Sequence, residues 1–477
     1  MSSETSYSFA QATADFSAFA WGPHMLVLLV GGGLFFLIYS GLVPFRYLKH
    51  AIDILRGKYP EANAVGNISH AGALSSAMAG TVGMGNIGGV AIAIVAGGPG
   101  AIFWMWVSAL VGMATKFFTC TLAIMYRGKD ETGRVRGGPM YIITQGLGSK
   151  WKPLAVFFCS VGLVGNFPLF NTNQLVQILK EYLFLAPGST GVAVGSGEHF
   201  WMEFSLGLAI MVLVALVILG GIKRIAAVAT RVVPLMILLY VGCALYVILT
   251  HLGDVPMQLA RIVTDAFSVQ SVAGGLLGTM LTGVKRAAFS NEAGLGTEVM
   301  VHGNAKTSEP VKEGLVAMLG PAIDTLLVCT ATALIILISG VWESGGANGI
   351  SLSSAAFAET MPGVGPYLML VCVSFFAITT IFTQAFYGSQ CFAFLFGAKR
   401  EHWYLYLYLL AILFAATNNL SDIVNIIDGA YGLMAIPTMT AALLLAPRVR
   451  AAAKDYFGRL RVANAAAGAK DVPANRR

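Results

Sequence analysis

Residues 80–90 read Gly80-Thr-Val-Gly-Met-Gly-Asn-Ile-Gly-Gly-Val90, in the middle of an apolar stretch running from about Ile68 to Val95. The stretch is long enough to span a bilayer. Glycine costs roughly 1 kcal/mol per residue in a helix interior. Backbone groups freed in hydrocarbon cost several kcal/mol each unless something satisfies them, so a broken helix at membrane depth persists only where it is buried in protein or lines a cavity. The stretch points away from a passive anchor and towards a solute or ion site.

The rest of the chain agrees. Its 477 residues are 56% hydrophobic and 11% charged, where soluble domains carry about 25% charged residues. The fold class is an all-α polytopic membrane protein, because the apolar runs are continuous and lack the ~10-residue alternation of a β-barrel. The net charge of +7 implies no nucleic-acid partner, since the basic residues are confined to short loops. Glu4, Asp15 and the absence of a basic leader argue against a signal peptide. The six cysteines are scattered singly and read as small buried hydrophobes. The chain carries no P-loop and no His/Cys/Glu constellation, which disfavours an ATP-driven pump and metal-dependent catalysis. It reads as a non-enzyme with no organic cofactor.

Eleven spans are expected, near residues 22–43, 68–96, 99–126, 152–184, 200–220, 225–250, 268–284, 314–340, 365–396, 402–417 and 420–446. At 33 residues, 152–184 would reach ~50 Å and must tilt or bend, plausibly at Pro168. Residues 46–59 and 138–147 read as interfacial helices. The basic residues set the orientation. With the N-terminus outside, Arg46 to Lys58, Arg127 to Lys152, Lys223, Arg224, Lys285, Arg286, Lys306, Lys312, Lys399, Arg400 and the tail from Arg448 are all cytoplasmic. The expected placement is the inner (plasma) membrane, N-terminus out and C-terminus in. Residues 343–362 would be an extracellular lid.

Setting the first span aside leaves two sets of five, and an odd number per set forces opposite orientations, as in inverted repeats. The expected organisation is an extracellular N-terminus (1–21), an extra transmembrane helix with an interfacial helix (22–67), repeat 1 (68–250), an extracellular connector (251–267), repeat 2 (268–446) and a basic tail (447–477). Each repeat opens with a glycine-interrupted span, broken at Gly80, Gly83, Gly85 and Asn86 in the first and at Gly274, Gly275 and Gly278 in the second. Interrupted segments in corresponding positions are the best sequence pointer to a transport site.

At Thr81 to Asn86 the break would expose N–H groups suited to a carboxylate and carbonyls suited to a hard cation. Close packing through small residues is the alternative. Thr379, Thr380 and Thr383, followed by Gln384, could complete a sodium shell, although threonines in membrane helices often bond their own i−4 carbonyl. Asn166, Asn171, Asn173 and Gln174 cluster around Pro168 and could hold both ends of a zwitterion. Asp324, Asp428 and Lys116 are ionisable residues at or near membrane depth and therefore functional candidates. The run from Gly283 to Gly296 reads as an ordered gate or a helix cap at the cytoplasmic end of the second interrupted span.

The run Gly97-Gly-Pro-Gly-Ala-Ile-Phe-Trp-Met-Trp-Val-Ser-Ala-Leu-Val-Gly112 resembles the signature of the sodium:alanine symporter family. Thr81-Val-Gly-Met-Gly-Asn-Ile87, Gly138-Pro-Met-Tyr141 and Lys285-Arg-Ala-Ala-Phe-Ser-Asn-Glu-Ala-Gly-Leu-Gly296 are similar to further family motifs in the family's order. The resemblance covers roughly residues 20–450. It implies Na⁺-coupled uptake of small neutral amino acids, such as alanine or glycine. It also implies the five-plus-five inverted-repeat fold of the leucine transporter with one extra helix. Carried over, substrate contacts fall on Thr81, Gly83, Met84, Gly85, Asn86, Asn171, Gln174, Gly274 and Gln384. The sodium ligands fall on main-chain oxygens of Ala79 and Val82 and on Thr379 and Thr380. Many members read Gly-Trp-Ser-Tyr-Tyr-Gly-Glu where this chain has Thr383-Gln-Ala-Phe-Tyr-Gly-Ser389. Gln384 in place of tryptophan leaves more volume, and a larger polar substrate such as glutamine or serine becomes an alternative, as does proton coupling.

Overall fold

The computed structural model describes residues 8–61, 64–185, 194–195, 197, 199–268, 275–345 and 348–470. The main helices among them are α1 (Phe9–Tyr39), α2 (His70–Thr81), α3 (Gly85–Gly97), α4 (Gly100–Met125), α5 (Ser149–Phe184), α6 (Phe200–Ile218) and α7 (Gly221–Thr250). They continue with α8 (Gly275–Asn291), α9 (Thr297–His302), α10 (Pro310–Ser339), α11 (Gly349–Thr360), α12 (Gly365–Phe396), α13 (Glu401–Thr417) and α14 (Ile423–Ala463). Eight are long and apolar enough to cross a membrane, or nine when α2 and α3 count as one span bent by 55°. The other two expected spans correspond to α8 and α13, of 17 residues each, short of the ~20 that a perpendicular span needs.

Residues 9–20 form the first turns of α1. They dock on α14 through glycines: a Cβ at Gly429 would lie 2.4 Å from the Phe16 ring, and one at Gly432 would lie 2.8 Å from Trp21. The second interruption does not fall at Gly275 and Gly278, since α8 runs unbroken from Gly275 to Asn291. The chain instead leaves the helix at residues 292–296, where Glu292, Gly294 and Gly296 all have positive φ (56°, 89° and 92°). Lys285 and Arg286 therefore lie inside α8 and not in a loop.

The other basic loops gather on one face of the bundle. There the Arg127 guanidinium donates to the carbonyls of Val65 (2.8 Å), Ala305 (3.0 Å) and Thr307 (2.8 Å). Ile68 pairs with Ala305 in a parallel bridge, and Lys312 pairs with Glu61 at 2.9 Å. A small hairpin, Gly128–Lys129 against Val135–Arg136, holds Arg136 between Asp130 (2.8 Å) and Glu401 (2.6 Å).

Inside the bundle, small residues bring backbones together, as is usual where lipid removes the hydrophobic drive for helix association. A Cβ at Gly314 of α10 would sit 2.1 Å from Thr121 Oγ1 of α4, and one at Gly283 of α8 would sit 2.4 Å from the Ala101 carbonyl. Helix α4 is almost wholly buried, whereas α6 and α7 turn Leu216, Leu235 and Leu238 outward. Helix α5 is interrupted at residues 166–168, beside Pro168.

Candidate solute site

The first interruption follows from the backbone of residues 82–84. Helix α2 ends at Thr81, and Val82 turns to extended geometry (ψ 91°). The Gly83 N–H donates to Asn86 Oδ1 at 2.8 Å and not to the Ala79 carbonyl four residues back. Asn86 N donates to the Gly83 carbonyl at 3.1 Å. The chain thus leaves helix geometry between the carbonyl end of α2 and the N–H end of α3. Helix ends are where orphan carbonyls and N–H groups collect, and these two ends meet inside the bundle. Thr81 Oγ1 is buried and has no hydrogen-bond partner.

Helix α12 closes on this opening. A Cβ on Gly83 would lie 2.4 Å from Thr380 Oγ1, and one on Gly80 would lie 2.9 Å from the Tyr387 hydroxyl. The glycines thus serve both expectations at once: they permit the break and the close approach. The Thr380 hydroxyl donates to the Phe376 carbonyl (2.9 Å), which leaves its lone pairs free towards the break. The Thr379 hydroxyl also bonds Phe376 O (3.1 Å) but faces Met236 Sδ of α7 at 3.7 Å. Thr380 meets the break; Thr379 sits on the neighbouring face.

The second interruption is built on the same plan in reverse. Asn291 ends α8, its Oδ1 accepts the Ala293 N–H at 3.0 Å and its Nδ2 donates to Thr325 Oγ1 at 3.1 Å. Asn86 Nδ2 donates to the adjacent residue, Asp324, at Oδ1 (2.6 Å). Ser290 and Thr325 donate to Asp324 Oδ2, each at 2.8 Å. Two consecutive residues of α10 therefore hold the asparagine staples of both breaks. Asp324 is fully buried, and its carboxylate accepts from one amide and two hydroxyls rather than from a basic side chain.

Between the breaks lies a cavity of about 270 Å³, just under the ~300–1,000 Å³ typical of drug-sized ligands. Thr81, Gly83, Met84, Gly85, Asn171, Thr380 and Gln384 line it. Asn171 Nδ2 donates to Gln384 Oε1 at 3.0 Å, joining two expected contacts from different helices. Asn86 stays behind the wall, committed to Gly83 and Asp324. Ala79 and Val82 are fully buried and offer only their carbonyls, and Gln174 does not line the cavity. Gly274 lies outside the described residues. Asn173 serves packing, donating to the Ala415 and Asn418 carbonyls. The cavity wall also includes Phe170, Phe289, Glu292 and Tyr431, and beyond them Lys285, Arg286, Asp428 and Ser17. Lys285 and Ser17 both bond Asp428 Oδ2, at 3.1 and 2.6 Å.

Glu292 and Tyr431 escaped the sequence reading. The signal was present in the charged residue of the Ser-Asn-Glu-Ala-Gly-Leu-Gly run, but placing the second break near Gly274 moved that run to a membrane edge.

Residues 6–468 match the model of the sodium:alanine symporter family. The chain belongs to that family. It is 37% identical over 455 residues to the sodium/alanine symporter AgcS of Methanococcus maripaludis, covering 94% of this chain and 97% of that one. It is 35% identical over 441 residues to the probable sodium/glutamine symporter GlnT of Bacillus subtilis, covering 91% and 88%. Its architecture is similar to that of MhsT in complex with L-phenylalanine, with a TM-score of 0.59 over 80% of this chain and 90% of that one, at 15% identity. That likeness shows the fold, the one associated with the leucine transporter. The protein is a multi-pass membrane transporter and not an enzyme.

Proposed function

We propose that this transporter couples Na⁺ entry to the import of small neutral amino acids, such as alanine or glycine, by alternating access. The observation that carries this reading is the break at residues 82–84, where the carbonyl end of one half-helix and the N–H end of the next meet beside a small cavity. The N–H groups of Met84 and Gly85 suit the substrate carboxylate, since a helix N-terminus favours an anion. The carbonyls of Ala79 and Val82 with the hydroxyl of Thr380 suit Na⁺, a hard cation that takes oxygen ligands; the expected Thr379 ligand faces Met236 instead. Na⁺ between the end of α2 and the middle of α12 would draw the two helices together and fix the break in its binding geometry.

The basic face then lies in the cytoplasm, with the N-terminus outside in the plasma membrane, and residues 68–250 and 268–446 form the two inverted repeats. Each charge entering across 100 mV contributes about 2.3 kcal/mol, enough for concentrative uptake.

Gln384 favours a second substrate reading. Its amide and that of Asn171 form a polar wall where many family members carry tryptophan, which suits serine or glutamine. Purified protein in vesicles, given an inward Na⁺ gradient, should accumulate labelled alanine, serine or glutamine. Uptake that ignores Na⁺ and follows an imposed pH gradient would replace sodium coupling with proton coupling. Non-saturating flux without accumulation would indicate a channel.

A further inference from the structure

Glu292 is the one acidic side chain at the inner part of the cavity wall, between Phe289 and Tyr431. It is a non-glycine residue in left-handed backbone geometry (φ 56°), an uncommon state that clusters at ligand sites. That geometry fixes where the side chain leaves the second break. The residue is 2% exposed, and its two carboxylate oxygens are held separately: Oε1 accepts from the Tyr431 hydroxyl and Oε2 from the Thr297 hydroxyl. Each oxygen keeps a lone pair. No Lys, Arg or His among the described residues forms an ion pair with it. Of the two basic residues on the cavity wall, Lys285 is engaged with Asp428. A buried carboxylate without a cation is costly, and here the cavity is the open side from which a cation can come.

The opposite wall is the first break. A Cβ on Gly85 would lie 3.3 Å from Ser290 Cα, so the start of α3 touches the end of α8, and Met84, Gly85 and Glu292 line the same cavity. We propose that Glu292 binds the α-ammonium group of the substrate, so that the zwitterion bridges the breaks: carboxylate on the Met84 and Gly85 N–H groups, ammonium on the Glu292 carboxylate. This rests on reading the cavity as an amino-acid site. It makes Glu292 a specificity residue that selects free α-amino acids over α-hydroxy acids of the same shape.

The test is equilibrium competition on the full-length purified protein in saturating Na⁺, with labelled L-alanine, L-serine or L-glutamine as tracer. L-Lactate, which replaces the ammonium group of alanine with a hydroxyl, is the diagnostic competitor. The wild type should prefer alanine over lactate by at least ~10-fold. Glu292→Gln keeps the size, removes the charge and turns one of the two acceptor atoms into a donor, which a rotated Thr297 or Tyr431 hydroxyl can accept from. It should weaken alanine binding by roughly 10–100-fold, the range for losing a charged hydrogen bond, leave lactate binding within about 2-fold, and retain the tightening of binding by Na⁺. Unchanged alanine binding in Glu292→Gln would overturn the assignment. So would loss of the Na⁺ effect with the alanine-to-lactate ratio intact, which would make Glu292 an ion ligand. Should Glu292→Gln fail to elute as a monodisperse protein, the wild type decides alone: equal lactate and alanine affinities overturn the assignment, and a ≥10-fold preference supports it. A wild type that binds none of the three tracers would contradict the function proposed above, a failure distinct from that of Glu292.

Discussion

The two interruptions differ in what they leave unpaired. At residues 82–84 the wall is mostly backbone: glycines and the facing ends of two half-helices, with no positive φ among them. At residues 292–296 the chain makes a run of left-handed conformations and presents a carboxylate side chain. Each break is stapled by an asparagine that follows it in one case and precedes it in the other, as opposite chain directions require. Both staples end on neighbouring residues, Asp324 and Thr325. The comparison teaches that one break offers dipoles to an ion and a carboxylate, while the other offers a charge, and α10 keeps the two in register.

The largest expected effect separates the staples. Asn86→Ala removes a partner from a buried carboxylate and leaves the Gly83 N–H unmet, which should cost about 3 kcal/mol or more and abolish uptake. Asn291→Ala strips only neutral groups and should cost about 1–2 kcal/mol. Chemical unfolding in detergent measures both, and equal losses would break the asymmetry. Next comes Gly83→Ala, whose methyl would meet Thr380 Oγ1 at 2.4 Å. About 1–3 kcal/mol of overpacking and loss of Na⁺-driven uptake are expected. Gly294→Ala should cost about 1–2 kcal/mol through its positive φ and leave Na⁺ dependence as it was. Thr380→Ala should raise the Na⁺ concentration for half-maximal uptake by roughly tenfold, about 1.4 kcal/mol, with an unchanged melting temperature. An unaltered Na⁺ response would remove Thr380 from the site.

The first break was legible because glycine and asparagine are conspicuous inside an apolar run. The second was misplaced for the same reason: Gly274, Gly275 and Gly278 form a denser cluster than Gly294 and Gly296, yet Gly275, with a φ of 62°, only starts α8 and Gly278 lies inside it. Nothing local to Gly278 reports that the helix continues through it. Asn171 and Gln384 were each visible as polar residues in apolar helices, but their pairing at 3.0 Å is a tertiary fact. Asp324 could be marked as out of place; that it joins both breaks required knowing which turns of α3, α8 and α10 meet.

The smallest predicted effect lies far from either break and serves as their control. Burial alone would raise the carboxyl pKa of Asp130, but hydrogen bonds from Thr132, Arg136 and the Arg134 backbone outweigh it and hold the value at about 2. Its folded pKa is therefore depressed below the ordinary 3.8. The associated stabilisation is present above pH ~4 and is lost as the pH falls towards 2. Asp130→Asn should remove of order 1 kcal/mol at neutral pH, flatten that part of the acid-unfolding profile and leave substrate selectivity intact.

The central claim is that Na⁺ prepares the first break for an amino acid. Equilibrium binding of the tracer that the wild type takes best, measured with Na⁺ and with choline in its place, tests this most directly when wild type and Thr380→Ala are compared. The account predicts that Na⁺ tightens wild-type binding by at least ~10-fold, and that Thr380→Ala loses most of this gain while matching the wild type in choline. Equal wild-type binding in Na⁺ and in choline would contradict it.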